Sequence, residues 1–272
     1  MLGQRIITAI VLLVLLTAVL LSGSDLIVKI TLAMFFAAAV WESLRLFSIQ
    51  RALPLSLIAV PVLFWALTTQ TPVDIFNLAM ICVLIWAMRF FPALKFGLPT
   101  TDGARGNLFT LVFLLSLLGC FISLYALYQR SVIFLISAMS IVWIADIGAY
   151  FVGRAIGKRK LAPTISPGKS WEGAIGGWLA VMLCGAATVF IPACAECFTA
   201  QLQQNGGWLL WMVCMTLLVA ASIIGDLFES LLKRRAGVKD SSRLLPGHGG
   251  VLDRIDALIP AMPLVVMMSV GL

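Results

Sequence analysis

Apolar runs recur along the chain, each closed by a short charged connection. That recurrence limits the fold more than any other feature, because a helix needs roughly 20 apolar residues to cross the hydrocarbon core of a bilayer. Inside lipid the backbone must satisfy its own polar groups, which favours helices over open strands. About nine spans are expected on this measure, near 6–22, 27–47, 54–70, 73–91, 108–128, 132–151, 172–192, 207–228 and 252–272. The fold class is therefore all-α, a polytopic integral membrane protein with about nine transmembrane helices. Pro61, Pro260 and Pro263 mark the third and ninth runs as kinked. A hydrophobic content of 61% and a mean hydropathy of +1.07 exclude an ordinary soluble domain. Ile6–Ser22, after Arg5, has the length of a signal peptide, but further spans follow and no A-x-A site is evident, so an uncleaved first helix is expected.

Charge tests the count. With the N-terminus in the cytoplasm and the C-terminus outside, the inner connections collect seventeen of the nineteen Lys and Arg residues, and only Lys29 and Arg130 fall outside. The net charge of +7 then belongs to loops facing anionic headgroups or phosphate substrates. Nucleic acid is excluded as a partner, since no basic arm with interleaved aromatics is present. The two charged regions, 152–171 and 229–256, lie on one side. Cys82, Cys120, Cys184 and Cys214 sit in apolar runs as small hydrophobes. Cys194 and Cys197 form a lone CxxC, incidental or locally disulfide-bonded rather than a zinc site. The chain divides into an N-terminal set of about five spans, residues 1–130, and a C-terminal catalytic region, 131–272, with its charged signature at 230–256.

That signature, SLLKRRAGVKDSSRLLPGHGGVLDRID, concentrates charge in a chain that is only 11% charged. Asp226, Glu229, Ser230 and Lys233 are spaced to share one face of a helix continuing out of the eighth span. Glu229 and Lys233 suit an ordinary i, i+4 ion pair, whereas an acid such as Asp226 at the membrane boundary is a functional candidate. Asp253 and Asp256 repeat the pattern one turn apart at the start of the ninth span. Carboxylates from two helices beneath a basic loop suit Mg²⁺ carrying substrate phosphates, because Mg²⁺ takes one or two carboxylates and completes its shell with phosphate oxygens. Pro246–Gly250 must be a turn, placing His248, the only histidine, to orient a phosphate or a water. Earlier, Asp146 ends the sixth span, and Ser166, Lys169 and Ser170 precede a helix N-terminus that can bind phosphate. Gly168-Lys169-Ser170 is not a Walker A loop: Pro163 stands where its first glycine belongs, and no strand is expected before it.

S-x-L-K-R-x4-K-D-x-S-x2-L-P-x-H-G-G-V-x-D-R-I-D resembles the signature of the phosphatidate cytidylyltransferase (CDP-diacylglycerol synthase) family. D-x-G-A-Y-x-x-G from Asp146 and S-P-x-K-S-W-E-G from Ser166 are similar to the same family, which often has lysine where Gly168 stands. The resemblance covers roughly 146–256. It implies transfer of CMP from CTP to phosphatidate, giving CDP-diacylglycerol and pyrophosphate, with Mg²⁺ as cofactor and CTP, phosphatidate and membrane lipids as partners. On that footing Asp226, Asp253, Lys233 and His248 are the catalytic candidates, with Asp226, Asp253 and Asp256 at the metal. Asp256 has a second role open to it, pairing with Arg254. Lys169, Ser166, Ser170, Ser230, Arg234, Lys239, Asp240 and Arg254 are candidates for substrate binding. A homodimer is left open. The location implied is the inner membrane, multi-pass, with the site facing the cytoplasm.

The rivals are a transporter of a phosphate-bearing substrate and a non-catalytic lipid-binding scaffold. A transporter calls for charges along a path through the membrane and for a repeat between halves. Here the charges gather on one side and no repeat is visible. CDP-alcohol phosphotransferases share the substrate chemistry, but Asp102-Gly-Ala-Arg105 matches only the start of their motif.

Overall fold

The computed structural model describes residues 2–100, 103–270 and 272, without the side chains of residues 2–6 and 9. Asp102 and the side chain of Arg5 therefore lie outside the described residues. The chain is a helical bundle: α1 (Leu2–Leu21), α2 (Asp25–Leu46), α3 (Ala52–Thr69), α4 (Pro72–Ile85), α5 (Phe91–Phe96), α6 (Gly103–Arg130), α7 (Val132–Ile156), α8 (Trp171–Val189), α9 (Phe198–Arg235), α10 (Leu252–Ile255) and α11 (Leu258–Met268). Seven segments are long and apolar enough to cross a membrane among the described residues: α2, α3, Pro72–Phe96, α6, α7, α8 and α9. The protein is an all-α polytopic membrane protein.

The count of nine is not confirmed among the described residues, where seven segments meet the measure. The described apolar part of α1 is Ile10–Leu21. The last run is split, because Asp256 and Ala257 interrupt it between the four residues of α10 and the eleven of α11. Pro61 lies inside a continuous α3. The real break in a long helix is at Gly207, whose φ of 70° and ψ of 176° interrupt α9 where the eighth span was expected to begin.

One feature departs from all-helix. Lys160–Ala162 and Ser166–Ser170 pair as a short antiparallel hairpin, β1 and β2, between α7 and α8. A strand does precede Gly168-Lys169-Ser170, contrary to expectation, but it enters a hairpin and not a phosphate-wrapping loop. Glu172 on α8 accepts the Lys158 and Arg159 amides and anchors the start of this hairpin.

Lipid-facing chemistry explains the outer surface. Leu57, Leu111, Leu183 and Leu209 are exposed, as befits residues whose natural solvent is hydrocarbon. Inside, α11 packs against α4, α6 and α9, so its Ala261, Met262 and Val265 are fully buried. A π-helical turn at Trp86–Phe90 directs Trp86 and Phe90 towards Phe228 of α9, with ring centroids 5.4 and 4.7 Å away, and Phe113 of α6 completes the cluster at 5.5 Å. This aromatic floor supports the turn of α9 that carries Asp226 and Glu229.

The two ends of the bundle differ. At one, Asp25 accepts from Tyr125 and Gln129, and Arg130 donates to Gln201 and to the Ser269 carbonyl. At the other lie the hairpin, the C-terminal end of α9 and the 236–251 loop.

Candidate active site

At that second end a cavity of about 640 Å³ is lined by Asp146, Ser166, Lys169, Ser170, Asp226, Lys233, Asp240, Asp253, Arg254 and Asp256. Close helix packing makes this convergence possible. A Cβ on Gly177 of α8 would collide with the Ala145 carbonyl of α7, and one on Gly225 of α9 would collide with the Asp256 carbonyl. Without side chains at these points, α7 and α8 come together beside Asp146, and the Asp256 turn comes against α9 beside Asp226.

Asp226 forms an ion pair with Lys169, which β2 carries into the cavity, and Ser230 lies one turn on with Oγ 3.4 Å from Asp226 Oδ1. Asp146 does not end its helix, since α7 continues ten residues further to Ile156. The span was expected to stop at about 151, but the apolar and small residues after Asp146 keep the helix regular. Asp146 accordingly lines the inner part of the cavity. Ser170 caps α8, its Oγ accepting the Gly173 amide at 3.1 Å, and keeps its hydroxyl proton to donate.

Lys233 bridges two acids, forming an ion pair with Glu229 on its own helix and donating to Asp253 Oδ1 at 2.6 Å. The other Asp253 oxygen, Oδ2, accepts the Ser241 amide at 2.9 Å, the Ser241 hydroxyl at 2.8 Å and the Gly250 amide at 2.8 Å. Burial alone would push the Asp253 carboxyl up, but Lys233 and the Gly250 and Ser241 amides together hold it below the usual carboxylate range. Asp256 is in the opposite condition. Among the described residues it accepts the Ala257 amide, at 2.8 Å, and makes no ion pair with Arg254. Burial, then the nearby charge of Asp226, push it up to about 7.

The remaining candidates are dispersed. Arg234 Nε donates to the Ile165 carbonyl at 3.2 Å and so pins the hairpin to α9. Lys239 and His248 do not line the main cavity. They face an adjoining pocket of about 620 Å³, shared with Asp240, Arg243 and Arg254, where the buried His248 Nδ1 has no hydrogen-bond partner among the described residues. The 246–250 turn is as expected: the Leu245 and His248 amides donate within it, and Gly247 and Gly249 take φ of 77° and 85°. All six cysteines are free.

Two residues were missed as site residues. Asp146 was read as a span end and given no role. Glu42 of α2 was not singled out, although it is fully buried and accepts hydrogen bonds from the signature loop. Its signal was available, since an acid inside an apolar span is costly and rarely idle.

A model of the cytidylyltransferase family matches residues 3–271. A phosphatidate cytidylyltransferase of Pseudomonas aeruginosa is 38% identical over 271 residues, covering 97% of this chain and 95% of that protein. One from Helicobacter pylori is 32% identical, over 94% of this chain and 87% of its own length. One from Haemophilus influenzae is 52% identical over 123 residues, a match spanning 45% of this chain and 41% of that protein.

Proposed function

The chain belongs to the cytidylyltransferase family, and from that membership we infer that it is a phosphatidate cytidylyltransferase, transferring CMP from CTP to phosphatidate with release of pyrophosphate. The observation that carries this reading is the charged cavity at one end of a membrane bundle, where acids and Lys169 meet within reach of both a lipid headgroup and water. A diacyl substrate stays in the bilayer, because each buried CH₂ contributes about 0.8 kcal/mol. The reaction centre must therefore lie at headgroup level, and the charged end of the bundle that holds this cavity is where we place it.

The donor set fits Mg²⁺. Asp226, Asp256 and Asp146 line one cavity, and Asp256 is a carboxylate whose charge the protein leaves largely uncompensated. Among the described residues no three His, Cys, Asp or Glu side chains close into a ready-made cage, so the bound ion would have to complete its shell with phosphate and water. Asp226 and Asp256 would hold it, with Asp253 offering Oδ1 alone, since Oδ2 is committed to the loop. When bound, Mg²⁺ neutralises charge on the triphosphate and on the departing pyrophosphate.

A phosphate oxygen of phosphatidate attacks the α-phosphorus of CTP. The new P–O bond forms as the bond to the β-phosphate breaks, and its electrons leave with pyrophosphate. Two anions must be brought together, so catalysis is mainly positioning and charge stabilisation. Lys169 and Arg254 face the cavity and bind phosphate, with Ser166, Ser170 and Ser230 as neutral donors and Asp240 at the rim. Lys233 fixes Asp253. Arg234 acts through the hairpin that carries Lys169, and Lys239 and His248 serve the adjoining pocket as a second phosphate contact. The site faces the cytoplasm of the inner membrane, where CTP is available, and a homodimer is compatible with the lipid-facing surface.

The test is direct: purified protein given phosphatidate, labelled CTP and Mg²⁺ should yield a lipid-soluble cytidine product and pyrophosphate in equal amounts. Absence of that product with a folded protein would overturn the reading.

A further inference from the structure

Glu42 sits in α2, 200 residues before Ser242 of the signature loop, yet the residue is 0% exposed and its carboxylate is surrounded by that loop. Oε1 accepts the Ser242 hydroxyl at 2.6 Å and the Val251 amide at 3.0 Å. Oε2 accepts the Leu252 amide at 2.6 Å and the Ser241 hydroxyl at 3.1 Å. No ion pair to Glu42 occurs among the described residues. A buried carboxylate without a cation is expensive unless its lone pairs are met, and here two amides and the Ser242 hydroxyl meet them, with the Ser241 hydroxyl shared between Glu42 and Asp253.

Each oxygen faces one backbone amide, Val251 at Oε1 and Leu252 at Oε2, which can only donate, so both positions call for an acceptor. Ionised glutamate has two such oxygens; glutamine would turn an NH₂ towards one of the donor pairs. The loop is shaped to this anchor as well. A Cβ on Gly250 would collide with Ser241 Oγ and Glu42 Oε1, and one on Gly249 would lie 2.7 Å from Asp253 Oδ2. Ser241 joins the two carboxylates, with Oγ 3.1 Å from Glu42 and 2.8 Å from Asp253. Its one proton can serve only one of them at a time, so a shift at Glu42 is passed directly to Asp253.

We propose that Glu42 is a positioning residue, which anchors the 241–252 segment so that Asp253 and Lys233 are held in register with Asp226. The N-terminal helices thereby belong to the active centre and are not merely its membrane support. The proposal rests on the cytidylyltransferase reading for its kinetic part only. Its structural part can be read without substrate or metal.

The experiment uses the full chain in detergent or nanodiscs, as wild type, Glu42→Gln, Glu42→Asp and Ser242→Ala. Hydrogen exchange of the metal-free protein is expected to accelerate about tenfold or more in peptides covering 241–252 of Glu42→Gln, with the spanning helices still protected. In the same variant kcat should fall about tenfold to a hundredfold, as misplacement of a catalytic constellation requires, with KM for phosphatidate little changed. Glu42→Asp, which keeps the charge, should recover part of both effects. Ser242→Ala, which removes one hydrogen bond, should show the local exchange change in milder form, and it carries the test if Glu42→Gln does not fold. Exchange and kcat unchanged in Glu42→Gln would overturn the proposal. So would a uniform loss of protection through all helices in the variants that fold, since that is a general packing role. A wild-type protein without cytidylyltransferase activity would overturn the functional reading, while the exchange result would still decide the anchoring role.

Discussion

Lys233 on α9 reaches Asp253 at the head of α10, its Nζ 2.6 Å from Oδ1, while the same ammonium pairs with Glu229 one turn back on its own helix. One cation thus serves two acids that are 2% and 4% exposed in their side chains. Its loss would strand Glu229 and leave Asp253 held only by its bonds to Ser241 and Gly250.

Lys233→Ala is therefore expected to destabilise the protein by about 3–5 kcal/mol, the usual cost of breaking a buried ion pair from one side. A lower melting temperature in detergent checks this. Adding Glu229→Gln should restore part of the loss, because it removes one stranded charge. If Lys233 served only to bind substrate, the single variant would melt with wild type and show a raised KM alone.

Asp226→Asn and Asp256→Asn should each lower kcat by about a hundredfold or more, the scale on which transition-state charge stabilisation is lost, and leave a folded protein. In Asp226→Asn the Lys169 ammonium also loses its partner, so KM for CTP should change with kcat. A titration of rate against Mg²⁺ is the measurement. A near-normal rate at low Mg²⁺ in either variant would remove that residue from the metal site.

The pH dependence has a definite sign. The Asp256 carboxyl, ordinarily near 3.8, is held at about 7 by burial and by the charge of Asp226. Its folded value is raised, so its contribution to stability is fully present below the unfolded value and is lost as pH rises through about 7. Binding of a cation requires the ionised form, so the Mg²⁺ concentration for half-maximal rate should fall as pH goes from about 6 to about 8. Asp256→Asn should flatten this dependence in any rate that remains. A Mg²⁺ requirement independent of pH in the wild type would count against Asp256 as a ligand.

The helical pattern was legible because lipid imposes it: spans of fixed length and a one-sided distribution of Lys and Arg leave few alternatives. The helix carrying Asp226, Glu229 and Lys233 and the glycine turn around His248 were legible from local spacing. The contacts of Glu42 with the signature loop were not, because they depend on which donors that loop presents to a carboxylate 200 residues earlier in the chain. Lys239 and His248 lie in the signature with Asp253, but a loop can place adjacent residues in different pockets. The interruption between α10 and α11 at Asp256 and Ala257 was hidden by an apolar run whose hydropathy does not register it.

Sidedness gives the last prediction. The hairpin and the 236–251 loop share one end of the bundle: Arg234 donates to Ile165, and residues of both segments line one cavity. Glu196 lies towards the other end, where Gln201 donates to its carbonyl and receives a hydrogen bond from Arg130. In a background without the six native cysteines, single cysteines at the exposed positions Lys160, Arg243 and Glu196 give three probes. A membrane-impermeant maleimide should label the Glu196 position in intact cells, and the other two only after permeabilisation, because the positive-inside rule puts the basic end in the cytoplasm. Arg243 suits this better than Ser241, which is 4% exposed and bonded to both carboxylates. Labelling of the Lys160 or Arg243 position from outside would invert the orientation and separate the site from CTP.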